Sequence, residues 1–204
     1  MDVLLLAEVV VTMAVIMDPV GNVPIFLAVT RGFDTRTRHR AAVTAVLAAT
    51  GVIVGFAVAG QWVLDRLGVS VPALQGAGGL LLLLVALELL TDDAEPEAAE
   101  PEPGDHVAVA MVPLATPLLA GPGAIVATIV FVTRAEGAVD LATIAAGIAV
   151  VLVVVLVALR YADLLIRILG RSAILLLSRV AGLLLAAIAV QMLADAIVAF
   201  ARTV

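Results

Sequence analysis

The sequence predicts an all-α membrane protein: six transmembrane helices in two inverted-topology three-helix repeats, with helices 1 and 4 each broken in mid-span. Three observations predict it. The 204 residues are 64% hydrophobic with a mean hydropathy of +1.24, more apolar sequence than a soluble domain uses. The apolar residues come in runs of about 20, the length that carries a helix across a ~30 Å hydrocarbon core. The spacing Pro-x4-Pro occurs twice inside those runs, as Pro19 with Pro24 and as Pro117 with Pro122. No apolar–polar alternation suggests barrel strands.

The first span covers about 3–30 and is broken at 18–24. The second covers about 41–64 and the third about 73–91. The fourth covers about 107–133, broken at 113–123, the fifth about 138–160 and the sixth about 174–200. The chain thus divides into a first three-helix repeat over 1–91, a linker over 92–106 and a second repeat over 107–204. The linker is rich in Ala, Glu and Pro and too poor in apolar residues to order itself. It reads as a solvated connection, with a partner-binding tail as the alternative.

Arginine placement orients the spans. With the N-terminus outside, the inner loops hold Arg31, Arg36, Arg38, Arg40, Arg160, Arg167, Arg171 and Arg179. The outer side holds Arg66, Arg134 and Arg202. Both termini are therefore expected on the outer face. Met1-Asp2-Val3 lacks the positive start of a cleavable signal, so the first helix is expected to be retained.

The halves also match outside the prolines. Gly79, Ala86 and Asp92 line up with Gly182, Ala189 and Asp195, and Leu67-Gly68-Val69-Ser70 parallels Leu169-Gly170-Arg171-Ser172. Three spans per half is an odd number, so the second copy enters the membrane inverted. Such repeats underlie alternating access in transporters, and paired helix breaks mark where their ligands bind.

Several function classes lack support. No cysteine is present, which removes disulfides, thiol catalysis and thiolate metal sites. The two histidines, His39 and His106, fall in loops, so no metal site or cofactor is expected. No basic patch interleaved with aromatics suggests nucleic acid. No Ser/His, HExxH or paired-carboxylate pattern suggests an enzyme.

The segments Met17-Asp18-Pro19-Val20-Gly21-Asn22-Val23-Pro24, Thr116-Pro117-Leu118-Leu119-Ala120-Gly121-Pro122-Gly123 and Ala187-Ile188-Ala189-Val190-Gln191-Met192-Leu193-Ala194-Asp195 resemble the MarC/SnatA family. The resemblance runs over essentially the whole chain. It implies a six-helix inner-membrane protein of a prokaryote, linked to transport of small neutral amino acids such as glycine and alanine. A channel and a non-transporting scaffold or regulatory protein remain the alternatives.

Candidate substrate-binding residues cluster at the breaks. Asp18 is an ionisable group inside a span, where burial is costly. It either meets a substrate ammonium or a proton, or caps the half-helix that starts near Pro19. Asn22 offers both donors and an acceptor, for substrate or for opened backbone. Thr116 stands where Asp18 stands in the first copy, for substrate contact or for capping. Gly21, Gly121 and Gly123 permit close backbone approach, for a ligand or as packing hinges. Half-helix N-termini there would suit a substrate carboxylate.

Glu88 is read as a proton or ion relay, alongside Asp18, or as a carboxylate snorkelling to water. Asp195 carries the same pair of readings on the outer side. For Glu8 a pathway or packing role is open. Gly51-x3-Gly55-x3-Ala59 is a small-residue stripe expected to pack helix on helix, within the protomer or in a homo-oligomer. Arg160, Asp163, Arg167 and Arg171 form a polar face toward lipid headgroups.

Overall fold

A computed structural model describes residues 2–30, 32–91 and 119–203. The linker over 92–106, His106, Thr116 and Pro117 lie outside the described residues.

Among the described residues, seven helices follow in order: α1 (Val3–Met17), α2 (Asn22–Val29), α3 (Thr35–Leu67), α4 (Val71–Thr91), α5 (Pro122–Arg134), α6 (Ala138–Arg160) and α7 (Ala162–Thr203). Each boundary has a local cause. Asp2 accepts from the N–H groups of Leu4 (2.9 Å) and Leu5 (3.4 Å), capping α1. Asp34 caps α3 through the Arg36 N–H at 3.2 Å and the Thr37 hydroxyl. That hydroxyl, chiefly, holds the Asp34 carboxyl below its ordinary range. Gly68 ends α3 with φ 66, and Val69 N–H closes onto the Leu64 carbonyl at 3.0 Å. α7 is two helices meeting at Gly170, whose φ of 73 is not helical.

α3, α6 and the Ser172–Arg202 part of α7 are long and apolar enough to cross a membrane. Val3–Met17, Val71–Leu87 and Gly123–Arg134 are shorter apolar helices. The apolar part of the last long helix begins at Ser172, close to the expected start, and Ser178 lies inside it. Large apolar side chains face outward along these helices, including Leu4, Leu47, Val58, Leu84, Val153 and Leu183. That is the surface a hydrocarbon solvent accepts.

The core joins α1, α2, α3, α5 and α6. Val9, Met13, Met17, Val23, Phe26, Ala45, Ile53, Leu119, Ala124, Ile144 and Val155 are its buried members. α1 packs on α6, and α3 packs on both α5 and α6. α4 runs along α7 and makes the largest helix pair. The pair is antiparallel: a Cβ on Gly76 would meet Ala196, whereas Leu82 and Ala86 pack with Leu185 and Ala189. Gly79 sits against the partner backbone, where a Cβ would lie 2.8 Å from the Ala189 carbonyl oxygen.

The small stripe of α3 does something else. A Cβ at Gly51 or Gly55 meets nothing within 4 Å among the described residues, and both positions are exposed. Among the described residues, no helix of the same protomer packs on the stripe there.

These two kinds of glycine predict opposite outcomes. Gly79→Ala forces α4 and α7 apart at the cost of overpacking, about 1–3 kcal/mol, read as a melting-temperature fall of roughly 2–10 °C in detergent. Gly51→Ala, with open space and better helix propensity, leaves the melting temperature unchanged or raises it.

Candidate functional site

The site grows from the interruption between α1 and α2. Pro19 cannot donate to the carbonyl of Val15, so the ladder of α1 stops. Asp18 turns the chain with φ 34, the one positive-φ residue other than glycine among the described residues. Aspartate tolerates this left-handed conformation better than most side chains, though it stores about 1–3 kcal/mol of strain.

The interruption then satisfies its own backbone. Asp18 N–H donates to the Ala14 carbonyl at 3.0 Å, and the Asp18 carbonyl accepts from Asn22 N–H at 3.1 Å. Pro24 has no N–H for the Val20 carbonyl, and Val23 N–H takes that acceptor instead at 3.1 Å. The Asn22 amide donates to the Met17 carbonyl at 2.7 Å in a buried position. Asn22 thus serves the opened backbone, the second of the two roles expected of it. Asp18 Oδ1 accepts from Gly21 N–H at 2.9 Å, so this residue closes α1 and caps the turn before α2. The regular helix starts at Asn22, three residues later than a start at Pro19.

One oxygen is left over. Asp18 Oδ2 is buried and has no hydrogen-bond partner among the described residues. A Cβ added to Gly21 would lie 1.9 Å from that oxygen and 2.8 Å from Ser178 Oγ of α7. Gly21 is therefore bare because a carboxylate and a hydroxyl flank it. An unpartnered carboxylate oxygen in an apolar interior is costly unless something with a positive charge or a proton completes it.

The described part of the second break lies alongside. Gly121 is the N-cap of α5 and Pro122 its first residue, and no side chain caps that end. A Cβ on Gly123 would lie 2.0 Å from Leu82 and 3.3 Å from Ile16, the residue two before Asp18. Leu119 and Ala120 are buried in the same core as Met17 and Val23. The start of α5 therefore lies against the end of α1 and against α4, with the free N–H groups and positive end of a helix.

The structure brings Asp18, Gly21 and Asn22 together, with Pro19 and Pro24 framing them and Gly121, Pro122 and Gly123 beside them. Thr116 and Pro117 are not among the described residues. Glu88 lies in α4, but its side chain falls outside what is described. Glu8 is apart, in a shallow cleft with Asp2, Arg134, Glu136 and Asp140. Asp195 accepts from the Gln191 amide at 2.8 Å and lies 3.9 Å from Arg134, on that same side. No cluster fit for a metal ion occurs among the described residues. Ser178 is the residue that sequence reasoning missed. Its only signal is a hydroxyl between Leu177 and Arg179, inside the last expected span.

Comparison with known proteins agrees with the membrane architecture. The profile of the MarC family integral membrane proteins matches residues 3–201. A UPF0056 membrane protein of Methanocaldococcus jannaschii is 36% identical over 185 residues, covering 89% of this chain and 90% of that protein. One from Archaeoglobus fulgidus is 35% identical, covering 90% of this chain and 88% of that protein. One from Escherichia coli is 29% identical, covering 89% and 86%. No solved structure matches. With a family match over nearly its whole length, this chain belongs to the MarC family of integral membrane proteins.

Proposed function

We propose that the protein is a secondary transporter of small neutral amino acids such as glycine and alanine, working by alternating access. The observation that carries the reading is the buried Asp18 Oδ2 without a partner, set beside Ser178 Oγ at a break in a membrane helix. In this reading Asp18 accepts from the substrate ammonium, and the uncapped start of α5 at Gly121 and Gly123 receives the carboxylate. Glycine and alanine suit a site whose walls are glycine, serine and short aliphatic groups.

Six spans in two inverted repeats remain part of the proposal. Its support is reciprocal packing: α1 lies on α6 while α3 lies on α5, the first helix of each half against the second of the other. Gly68 and Gly170, aligned by sequence, both take positive φ before the helices they precede. In this scheme both termini face outward from the inner membrane, and Asp18 or Glu88 couples transport to protons.

Counterflow into liposomes tests the reading. Protein reconstituted with internal unlabelled alanine should accumulate labelled glycine, alanine and serine; accumulation of none of them sinks it. Asp18→Asn should lower exchange by roughly 10- to 100-fold, the worth of a hydrogen bond to a charged group, about 1.5–3 kcal/mol. Ser178→Ala should weaken substrate binding roughly 2- to 10-fold, the ~0.5–1.5 kcal/mol of a neutral bond. Asn22→Ala orphans the buried Met17 carbonyl, so its effect appears first as lost thermal stability of about 1–3 kcal/mol. Proton coupling is refuted if Asp18→Asn and Glu88→Gln both keep the parent response to a pH gradient.

A further inference from the structure

A second site lies at the arginine-rich face, away from the Asp18 break. Arg36, His39 and Arg40 of α3 and Arg160 of α6 line one cleft, with Val43 and Thr44 at its base. The helices that contribute them are far apart in sequence, so local clustering of charge does not produce the cleft. Arg36, Arg40 and Arg160 are exposed and have no ion-pair partner among the described residues. The neighbouring acid, Asp163, is taken by Arg38 at 2.6 Å. The Thr44 hydroxyl donates back to the Arg40 carbonyl at 2.8 Å, which spends its one hydrogen.

The placement is unfavourable without an occupant. Arg36, Arg38 and Arg40 crowd the first two turns of α3, behind the Asp34 cap at the positive end of its dipole, where cations are disfavoured. An anion in the cleft relieves both the mutual repulsion and the dipole. Guanidiniums converging from two helices suit the planar, bidentate binding of a phosphate group.

What adjoins the cleft selects the source of that phosphate. One turn deeper on α3, Val43 and Leu47 are exposed, the latter by 64%. On α6, Val157 and Val153 continue below Arg160 and are exposed by 49% and 58%. A cationic mouth above two bare aliphatic strips matches a molecule with an anionic head and hydrocarbon tails. We propose that this cleft binds the phosphodiester headgroup of an anionic membrane lipid, its acyl chains lying on Val43, Leu47, Val153 and Val157.

The test is native mass spectrometry of the purified protein released from nanodiscs of phosphatidylglycerol and phosphatidylcholine mixed equally. The parent should retain phosphatidylglycerol over phosphatidylcholine by at least about fivefold. The variant Arg36→Gln/Arg40→Gln/Arg160→Gln should lose that preference, whereas Arg66→Gln on the other side keeps it. Leu47→Asn, which leaves every charge in place, should reduce retention of phosphatidylglycerol but not of free inorganic phosphate. Equal retention by parent and triple variant overturns the proposal. So does displacement of the lipid by millimolar phosphate, which would assign the cleft to a free anion. A preference that emerges only after deletion of 92–105 would assign the arginines to that acidic stretch and overturn it too.

Discussion

Every backbone N–H and C=O inside a bilayer needs a partner from the protein, and the rest of this structure depends on meeting that demand where α1 breaks. Two prolines withdraw donors within one turn of chain. Val23, Asn22 and Gly21 then redirect theirs, and the Asn22 amide covers the last free carbonyl of α1. These bonds let the break sit in the core among Met17, Val23 and Phe26. Among the described residues, the buried side-chain oxygen of the break that has no hydrogen-bond partner is Asp18 Oδ2.

The surroundings divide into a stiff part and an open part. Buried aliphatics and alanines hold α1, α3, α5 and α6 together, while α4 and α7 form a separate close pair. The Asp18 break lies where these bodies meet, with α1 and α2 from the first and Ser178 from the second. Among the described residues, ion pairs stand at the helix ends and the polar faces. Arg38 with Asp163 stands at one face and Arg134 near Asp195 on the side of Asp2 and Glu8.

Much of this was legible in the sequence, for physical reasons that differ by element. Aliphatic runs of bilayer length announce membrane helices whatever their neighbours are, and α6 spans Ala138–Arg160 as expected. The break at Asp18 was legible because proline's missing donor acts locally. The role of Asn22 was left open, since an amide serves ligand or backbone equally well until its neighbours are placed. Ser178 was illegible. Its importance comes from Gly21, more than 150 residues away, and nothing in its own stretch of chain marks it. The stripe at Gly51 and Gly55 left its partner open, because small residues promise contact but do not say with what.

Gly79 carries a mechanical implication. With the α7 backbone 2.8 Å from where a side chain would begin, α4 and α7 touch main chain to main chain. Dispersion between surfaces this close sums over many atoms and falls off steeply with separation. Sliding one helix along the other would drive Leu193 and the Ala189 carbonyl over a glycine notch that fits them in a single register. The pair therefore behaves as one beam, and Ser178, carried on that beam, is a fixed reference against which the carboxylate of Asp18 is held.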